Sequence, residues 1–383
     1  MKKRRILFIT ERRADYSRLK PIIRLVQKSK KLEMRLLVAG AHLLRGLGET
    51  GRIIAKDGFK IDAVLPMFSE NDRDDGTAMV AGMGRALVGM ADIIPKLKPD
   101  IIFCGFDLGA HLAAAIAGMH LNIHVAHIQG GEVSGTVDEV LRHAITKFAH
   151  MHFVATPASA KRIVKLGEDP KYVFLVGSPS LDSIRSVKYF PKEIIAEKYG
   201  FDPRKKLIIF AQHPVTTEEG AVLKQIFASI EAVKYIVKKY DADALAIYSN
   251  SDAGGRRIIN RLLKSGIKVF PHIVYEDFLR LLNVADALVG NSSTGIHEAP
   301  SFGLPTVNIG TRQQLRERGQ NIIDVPNEKT AIIKAIEKSF FDKIFISKVK
   351  SGRNPYDQGN TAMKVVKILE TIKLPNVQKV ITY

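Results

Sequence analysis

The stretch Arg5-Ile6-Leu7-Phe8-Ile9-Thr10-Glu11-Arg12-Arg13-Ala14-Asp15 (residues 5–15) places a short apolar run directly before a polar turn and an amphipathic segment. An apolar run of this length is typical of a strand buried in a parallel sheet, and the amphipathic segment is typical of a helix that covers the sheet. The succession recurs, predicting strands at 5–10, 34–39, 61–65, 100–104, 123–128, 152–155 and 173–176, and helices at 16–29, 77–96, 109–119, 137–149 and 157–166. The first half of the chain therefore predicts a Rossmann-like α/β domain.

Turn-forming residues interrupt this pattern at Gly177-Ser178-Pro179-Ser180 and again at Tyr199-Gly200-Phe201-Asp202-Pro203-Arg204. The pattern then restarts, with strands predicted near 207–211, 244–248, 267–270, 286–290 and 305–309, helices between them, and a closing helix at 359–373. A chain of 383 residues exceeds what one hydrophobic core usually organises. We therefore predict an N-terminal domain at 1–185, a second Rossmann-like domain at 200–358, and a segment 359–383 that packs back on the first domain.

Composition narrows the class of protein. Hydrophobic residues make up 46% of the chain and charged residues 25%, a balance typical of a folded globular protein. The basic start leads into the short run Ile6-Leu7-Phe8-Ile9, which favours a buried strand over a signal peptide, and no apolar run of about 20 residues is evident. The single cysteine, Cys104, excludes an internal disulfide and a multi-thiolate metal site. We expect a cytoplasmic protein with no membrane partner.

The formal net charge of +19 is compatible with nucleic acid, a membrane surface or a phosphorylated substrate. The basic residues are spread along the chain, and no RNA-recognition, zinc-finger or basic-zipper motif is present. We therefore expect no nucleic-acid partner. A protein that binds anionic surfaces is the alternative outside the enzymes.

Ligands of open α/β sheets sit at the carboxyl ends of the strands, but neither a GxGxxG nor a Walker A sequence is present to bind phosphate there. The candidate is Gly290-Asn291-Ser292-Ser293-Thr294-Gly295-Ile296-His297-Glu298-Ala299-Pro300, between an apolar run and a helical turn. Ser292, Ser293 and the free amides of a helix start are suited to a diphosphate, and Glu298, about one turn into the helix, to the hydroxyls of a ribose. The alternative is an ordinary N-capped helix.

A second cluster begins with His127-Ile128-Gln129-Gly130-Gly131-Glu132 at the end of a predicted strand. Asp138 and Glu139 open the next helix, with Arg142 one turn further, and Asp107 follows another strand. These carboxylates are predicted to surround one small substrate. For Asp138 and Glu139 the alternative is the general preference of acidic residues for helix N-termini.

Three basic features complete the candidate site. His213 comes just beyond the first strand of the second half, at the mouth of the predicted cleft, and Arg13 lies at a βα turn where it can meet a phosphate. Arg312, Arg316 and Arg318 form a basic loop after a strand. The alternatives are a structural histidine and a solvated run of charges.

Together these motifs resemble the UDP-N-acetylglucosamine 2-epimerases, specifically their hydrolysing branch. The resemblance covers residues 4–370, and the stretches that carry it are 10–21, 39–43, 127–132, 138–147, 250–255, 290–305 and 308–313.

The resemblance implies a fold like the glycosyltransferase-B type, with two facing Rossmann-like domains, an active site in the cleft between them and UDP held mainly by the second. It implies removal of the sugar C2 proton as UDP leaves C1, and addition of water to the resulting 2-acetamidoglucal to give N-acetylmannosamine for sialic acid or a related sugar. It implies a UDP-sugar substrate, no cofactor or metal, and a homodimer as a possible assembly. The implied catalytic residues are Asp107, Glu132, Asp138, Glu139 and His213, and the implied substrate-binding residues are Arg13, Arg18, Arg142, Asn250, Ser292, Ser293, Glu298 and Arg312.

The chain departs from the family pattern at two places. Relatives commonly have Gly-Asp where this chain has Gly105-Phe106-Asp107, and the loop between Glu132 and Asp138 is one residue shorter. These departures leave open a UDP- or GDP-linked 2,4-diacetamido-trideoxy sugar as substrate. The same motifs are also compatible with a non-hydrolysing epimerase and with a glycosyltransferase of the same fold.

Overall fold

The computed structural model describes residues 3–382 and contains two parallel β-sheets. Every strand pairing in both sheets is parallel, which confirms the predicted α/β class. The first sheet has the order β3-β2-β1-β4-β5-β6-β7, where the strands are β1 (Arg4–Thr10), β2 (Leu32–Ala39), β3 (Ala63–Leu65), β4 (Ile101–Gly105), β5 (His124–Ile128), β6 (Met151–Val154) and β7 (Val173–Leu175). The second has the order β10-β9-β8-β11-β12-β13, with β8 (Leu207–Ala211), β9 (Asp243–Ile247), β10 (Lys268–Phe270), β11 (Ala287–Gly290), β12 (Thr306–Ile309) and β13 (Ile322–Val325).

Helices connect the strands and cover the sheets. In the first half they are α1 (Arg13–Lys28), α2 (Gly51–Lys56), α3 (Gly76–Leu97), α4 (Gly109–His120), α5 (Asp138–Phe148), α6 (Pro157–Lys165), α7 (Ser180–Ser186) and α8 (Lys192–Tyr199). In the second half they are α9 (Val222–Tyr240), α10 (Gly255–Leu263), α11 (Tyr275–Val284), α12 (Thr294–His297), α13 (Lys329–Phe341), α14 (Lys343–Ser351) and α15 (Thr361–Thr371).

Six elements were not predicted: the strand β13 and the helices α2, α7, α8, α13 and α14. The strand β13 is a short edge strand that is only partly buried, so it lacks the continuous apolar run of the central strands. The helices α2, α7 and α8 are short, and α7 and α8 each follow a proline, Pro179 and Pro191. Proline is well tolerated at a helix start, so the same residues that indicate a break also begin these helices.

The last helix, α15, packs on the first sheet's helical layer. Ala362, Val365 and Leu369 are buried in the same hydrophobic core as residues of α1. The Arg4 guanidinium donates hydrogen bonds to the carbonyl oxygens of Leu369 and of Ile372, at 2.5 and 3.0 Å. The limits of the predicted domains remain a prediction, and residues 1, 2 and 383 lie outside the described part of the chain.

The expectation that no apolar stretch has the length of a membrane span is wrong for α3. This 22-residue helix is long and apolar enough to cross a bilayer by length and composition. Its inward face, with Ala86, Met90 and Ile94, is buried in the core beside the first sheet. Small residues permit this close packing, because a Cβ atom on Gly89 would lie only 2.2 Å from a methyl carbon of Leu65. The apolar composition of α3 therefore serves sheet packing on this face.

The carboxyl ends of β4 and β5 are where the fold brings the predicted carboxylates together. At each end a non-glycine residue adopts the left-handed region, Phe106 with φ 67° and Gln129 with φ 58°. Such conformations are sparsely populated and are held in place by their surroundings. Both turns redirect the chain at once after the strand, so that Asp107 and Glu132 follow within the cleft-side loops.

Candidate active site

A buried arginine connects the loops that carry two of the predicted carboxylates of the first domain. Asp107 follows β4, Glu132 follows β5, and Asp138 begins α5. Arg142, one turn into α5 and 1% exposed, donates one hydrogen bond to the Asp107 carboxylate and another, of 3.0 Å, to the Glu132 carbonyl oxygen. Through Arg142, the helix α5 holds the loops of Asp107 and Glu132 in register.

The second domain supplies two further arginines to the same cluster, from the loop after β12. Arg316 donates to the Glu132 carboxylate and lies 3.9 Å from that of Asp107. Arg312 lies 3.5 Å from the Asp138 carboxylate. Both side chains are less than a tenth exposed. The cluster therefore spans the two domains, and its carboxylates are compensated by cations from both.

The electrostatic environment separates these carboxylates into two kinds. Burial alone would raise the pKa of Asp107, but Arg142, Arg12 and Arg316 outweigh it and lower that pKa to about 2. Burial also opposes ionisation of Glu132, yet His297 and Arg316 lower its pKa well below the usual range. Asp138 differs, because burial and the neighbouring Asp107 charge raise its pKa. Two groups are thus held ionised, while Asp138 is the carboxylate of the three whose ionised form is disfavoured.

Glu139 does not join this cluster through its contacts. Its carboxylate accepts a hydrogen bond from the Ser134 amide and one of 3.2 Å from His143. Its nearest cationic contact is Arg142, at 3.9 Å. All of these partners lie in the same loop and helix, so Glu139 braces the loop that connects Glu132 to α5. The position favours a role in holding the loop.

A pocket of about 1200 Å³, which includes space open to solvent, adjoins the carboxylate cluster in the cleft. It is lined by every remaining predicted residue: Arg13, Arg18, His213, Asn250, Ser292, Ser293, Glu298 and Arg312. Arg18 connects two of them, since it donates to the Ser293 hydroxyl at 3.2 Å and lies 3.5 Å from the Glu298 carboxylate. The other oxygen of Glu298, Oε2, is buried and has no hydrogen-bond partner within the described residues. Glu298 therefore brings a free, buried acceptor to the wall of a pocket large enough for a nucleoside diphosphate.

The expected phosphate cradle at a helix start needs correction. The helix α12 is a single turn, and Glu298 lies directly after it as the C-cap residue instead of one turn inside. Pro300 follows and the chain continues as a 3₁₀ turn, Ala299–Phe302. A macrodipole requires several aligned turns, so α12 contributes little helix-dipole stabilisation. Any anion would depend on the Ser292 and Ser293 hydroxyls, free amides and nearby arginines.

His213 is a neutral imidazole fixed in one tautomer. The Asn250 amide donates to its Nδ1 at 3.2 Å, so the ring proton resides on Nε2. Burial and the nearby Arg312, Arg12 and Arg13 charges hold its pKa well below 6.5. The Asn291 side chain fixes the backbone, accepting from the His213 amide at 2.7 Å. His213 is therefore arranged to donate a hydrogen bond from Nε2.

Arg13 lies on the opposite wall of the pocket at the start of α1. Its guanidinium contacts Nδ1 of His272 at 2.8 Å, and burial lowers its pKa to about 10. It remains a cation at neutral pH.

Four residues of the site were not predicted as functional. Arg12 and Asp252 form an ion pair of 3.1 Å between the domains, and Arg12 also lies 4.0 Å from Asp107. Both belong to stretches already noted in the sequence, next to Arg13 and Asn250. His297 and Tyr356 pack on each other with ring centroids 4.2 Å apart. His297 stands in the Gly290–Pro300 stretch and was overlooked beside Glu298, whereas no local signal marks Tyr356.

Among residues 3–382, no group of three or more histidine, cysteine, aspartate or glutamate side chains is arranged to hold a metal ion. Cys104 is buried in β4, where burial raises the pKa of its thiol.

The fold and the cleft define an α/β protein of the glycosyltransferase-B type, with two Rossmann-like domains around a shared site. The chain belongs to the UDP-N-acetylglucosamine 2-epimerase family, whose model matches residues 24–370. This confirms the resemblance seen in the sequence.

Two relatives and one solved structure illustrate the similarity. The chain is 36% identical to a UDP-N,N'-diacetylbacillosamine 2-epimerase (hydrolyzing) of Legionella pneumophila, over 97% of both chains. It is 34% identical to a UDP-N-acetylglucosamine 2-epimerase of Neisseria meningitidis, over 88% of this chain and 87% of that one. A crystal structure of UDP-GlcNAc 2-epimerase from Neisseria meningitidis bound to UDP-GlcNAc superposes with a TM-score of 0.79 at 19% identity, covering 95% of this chain and 99% of that one. That structural likeness supports the fold.

Proposed function

We propose that this protein is a hydrolysing 2-epimerase of a UDP-linked 2-acetamido sugar, with UDP-N-acetylglucosamine as the first candidate. The observation that carries the proposal is the cluster of Asp107, Glu132 and Asp138 beside a cation-lined nucleotide pocket. Inversion at C2 requires a group that exchanges a proton with carbon, and loss of UDP requires stabilisation of charge on both fragments. The cleft offers both in adjacent positions.

In the proposed reaction, a carboxylate removes the C2 proton while the C1–O bond breaks and its electron pair leaves with UDP, forming a 2-acetamidoglucal. Water then adds its hydroxyl to C1 and a proton returns to C2 from the opposite face, giving N-acetylmannosamine and UDP. Asp138 is assigned to removal of the C2 proton, because a raised pKa makes its carboxylate the strongest base of the three. The proton that returns to C2 from the opposite face comes from the water that adds its hydroxyl to C1. Asp107 and Glu132 stay ionised and stabilise the positive charge that develops at C1.

The leaving diphosphate is assigned to the pocket on the other side of Arg12 and Arg312. Arg13 and the Nε2–H of His213 are positioned to neutralise and hydrogen-bond it. Ser292 and Ser293 contribute hydroxyls, and the Glu298 carboxylate accepts hydrogen bonds from the ribose. No step in this scheme uses a cofactor or a metal ion.

A second substrate is favoured by a specific observation. The Legionella pneumophila relative, 36% identical over nearly the whole chain, is a hydrolysing epimerase of UDP-N,N'-diacetylbacillosamine. The loop between Glu132 and Asp138, which borders the proposed sugar site, is also one residue shorter than the common pattern. The 2,4-diacetamido sugar, linked to UDP or GDP, is therefore the alternative substrate of the same hydrolytic reaction.

Proton NMR in D₂O distinguishes these possibilities, with UDP-N-acetylglucosamine and UDP-N,N'-diacetylbacillosamine offered separately. We expect free UDP and a sugar that is inverted and deuterated at C2 from one of the two. A UDP-linked product inverted at C2 would instead identify a non-hydrolysing epimerase. Turnover that requires a sugar acceptor and leaves C2 undeuterated would identify a glycosyltransferase, and binding that is steep in salt but indifferent to UDP would favour a non-enzymatic protein that binds anionic surfaces.

The cytoplasmic location and the homodimer remain predictions. Sedimentation velocity of the purified protein measures the second directly.

A further inference from the structure

His297 occupies an unusual position for a residue of the nucleotide-binding segment. It is the last residue of α12 in the second domain and is fully buried. Its Nε2 lies 3.2 Å from Oε2 of Glu132, a carboxylate of the first domain. Its neighbour Glu298 contacts Arg18 and the pocket. His297 at the end of α12 and Glu298 directly after it therefore contact the two halves of the proposed substrate site.

The Nε2 atom of His297 has two polar neighbours. Oε2 of Glu132, 3.2 Å away, can only accept a hydrogen bond, and the Arg316 guanidinium, 3.1 Å away, can only donate one. A neutral imidazole therefore either donates to Glu132 or accepts from Arg316, according to its tautomer. Arg316 itself donates to Oε2 of Glu132, so His297 contacts both members of this ion pair from the second domain's side of the cleft.

The other oxygen of Glu132 is held within its own domain. Oε1 accepts a hydrogen bond of 2.9 Å from the Gln129 side chain in the same loop. The orientation of the carboxylate is therefore set partly by its own loop and partly by groups that reach it across the cleft. Separation of the two domains would leave Gln129 as its remaining donor in this set.

Contacts within and around α12 connect His297 to the segment that lines the proposed nucleotide pocket. The His297 amide donates to the Ser293 carbonyl oxygen at 3.0 Å, and the Ser293 hydroxyl accepts from Arg18. On its far side the His297 ring packs on Tyr356, and its carbonyl oxygen accepts from Asn354 at 2.7 Å. The imidazole thus has little freedom to move independently of the segment that faces the nucleotide.

We propose that His297 is a positioning residue that orients the Glu132 carboxylate from the second domain and so couples nucleotide contacts at Ser293 and Glu298 to the sugar site. This inference rests on the proposed function. Through the single turn α12, the reaction at the sugar depends on both domains being assembled around the nucleotide. His297 itself need not touch the substrate.

The test compares His297→Phe, which keeps a planar ring but removes the polar Nε2 atom, with His297→Gln, whose amide can donate or accept a hydrogen bond near the Nε2 position. We expect His297→Phe to lower kcat by about 10- to 100-fold, the range of one hydrogen bond to a charged group, with KM and the Kd of UDP changed less than about twofold. His297→Gln should recover most of the loss. Calorimetric titration with UDP verifies that each variant is folded.

A double-mutant cycle separates positioning from general packing. If His297 acts through Glu132, adding His297→Phe to Glu132→Gln should lower kcat no further than Glu132→Gln alone. His150→Phe is the matched control, since His150 is a buried histidine next to the amino end of β6 whose Nε2 contacts the Val377 carbonyl oxygen. It should leave kcat unchanged.

Equal kcat in wild type and His297→Phe, or additive losses in the cycle, would overturn the inference while leaving the proposed function intact. A wild-type protein that turns over neither nucleotide sugar would instead overturn the proposed function, and this role with it. Should His297→Phe fail to fold, His297→Asn, which is too short to reach Glu132, replaces it against His297→Gln.

Discussion

Replacing Glu132 with glutamine should damage stability and turnover together. The substitution keeps the shape of the side chain but removes a buried charge that faces Arg316, whose side chain is only 7% exposed. Leaving one member of a buried ion pair without its partner costs about 3–5 kcal/mol, and the amide offsets part of this by hydrogen bonding. We expect a loss near the lower end, about 3 kcal/mol, which corresponds to a fall in Tm of roughly 6–12 °C for a domain of this size.

Asp138→Asn is the matched comparison, because its environment has the opposite sign. Burial and Asp107 raise the pKa of Asp138, so its ionised form is destabilised in the fold and a neutral amide should leave Tm unchanged or slightly higher. Both variants should lose about 10²–10⁴-fold in kcat, as is typical when a charged or proton-transferring group is removed. Both should bind UDP as the wild type does.

The assays are thermal unfolding followed by circular dichroism, steady-state release of UDP, and calorimetric titration with UDP. A Glu132→Gln variant that unfolds at the wild-type temperature would refute the interdomain ion pair. Retention of more than about a tenth of the wild-type rate would refute its role in the chemistry, given the usual size of such effects. A large fall in Tm for Asp138→Asn would refute the division of the carboxylates into two kinds.

Three further predictions concern the nucleotide pocket, pH and the C-terminal segment. Glu298→Ala should weaken UDP binding about tenfold or more, as measured by calorimetry. The control is Glu276→Ala, which removes a carboxylate paired with Lys20 outside the pocket and should leave the affinity unchanged. Equal affinities of the two variants for UDP would remove Glu298 from the site. Since the pKa of Asp107 is lowered from 3.8 to about 2, its contribution to stability is present above pH 3.8 and is lost as the pH falls towards 2. Asp107→Asn should therefore flatten this part of the curve of Tm against pH. An unchanged slope would contradict the assignment. Lys379 donates to carbonyl oxygens at the end of α5 and pairs with the buried Glu168. Lys379→Met should therefore lower the free energy of unfolding by about 1.5–3 kcal/mol in denaturant, whereas Lys373→Met, at an exposed position, should have no effect. Equal unfolding midpoints for the two variants would show that the C-terminal segment does not stabilise α5.

The amino-acid sequence by itself determined the architecture and most of the site's composition. Apolar runs such as Ile6–Ile9 are short and apolar on both faces, as is typical of strands covered on both sides, so their alternation with amphipathic segments indicates a parallel sheet. The motifs between Gly105 and Arg142 and between Gly290 and Arg312 lie mainly in loops that follow strands. In a parallel sheet the carboxyl ends of the strands lie at one edge, so these loops lie on the same side of their sheet. Sequence order therefore indicated which residues would meet.

The local sequence pattern predicted the structure less well where a residue's environment is formed by distant parts of the chain. The edge strand β13 carries no continuous apolar run, and α12 proved to be one turn because Pro300 follows it closely. The partial exposure of β13 and the early end of α12 both weaken the periodicity of apolar residues from which strands and helices are predicted.

Only the tertiary structure decided the electrostatics of the cleft. Asp107, Glu132 and Asp138 are alike as acidic residues in the sequence, yet one has a raised pKa and two have lowered pKa values. The difference arises because Arg316 and His297 reach Glu132 from residues more than 160 positions away, whereas Asp138 lies against the charge of Asp107. Coulombic interactions depend on separation in space and on burial, neither of which local sequence encodes.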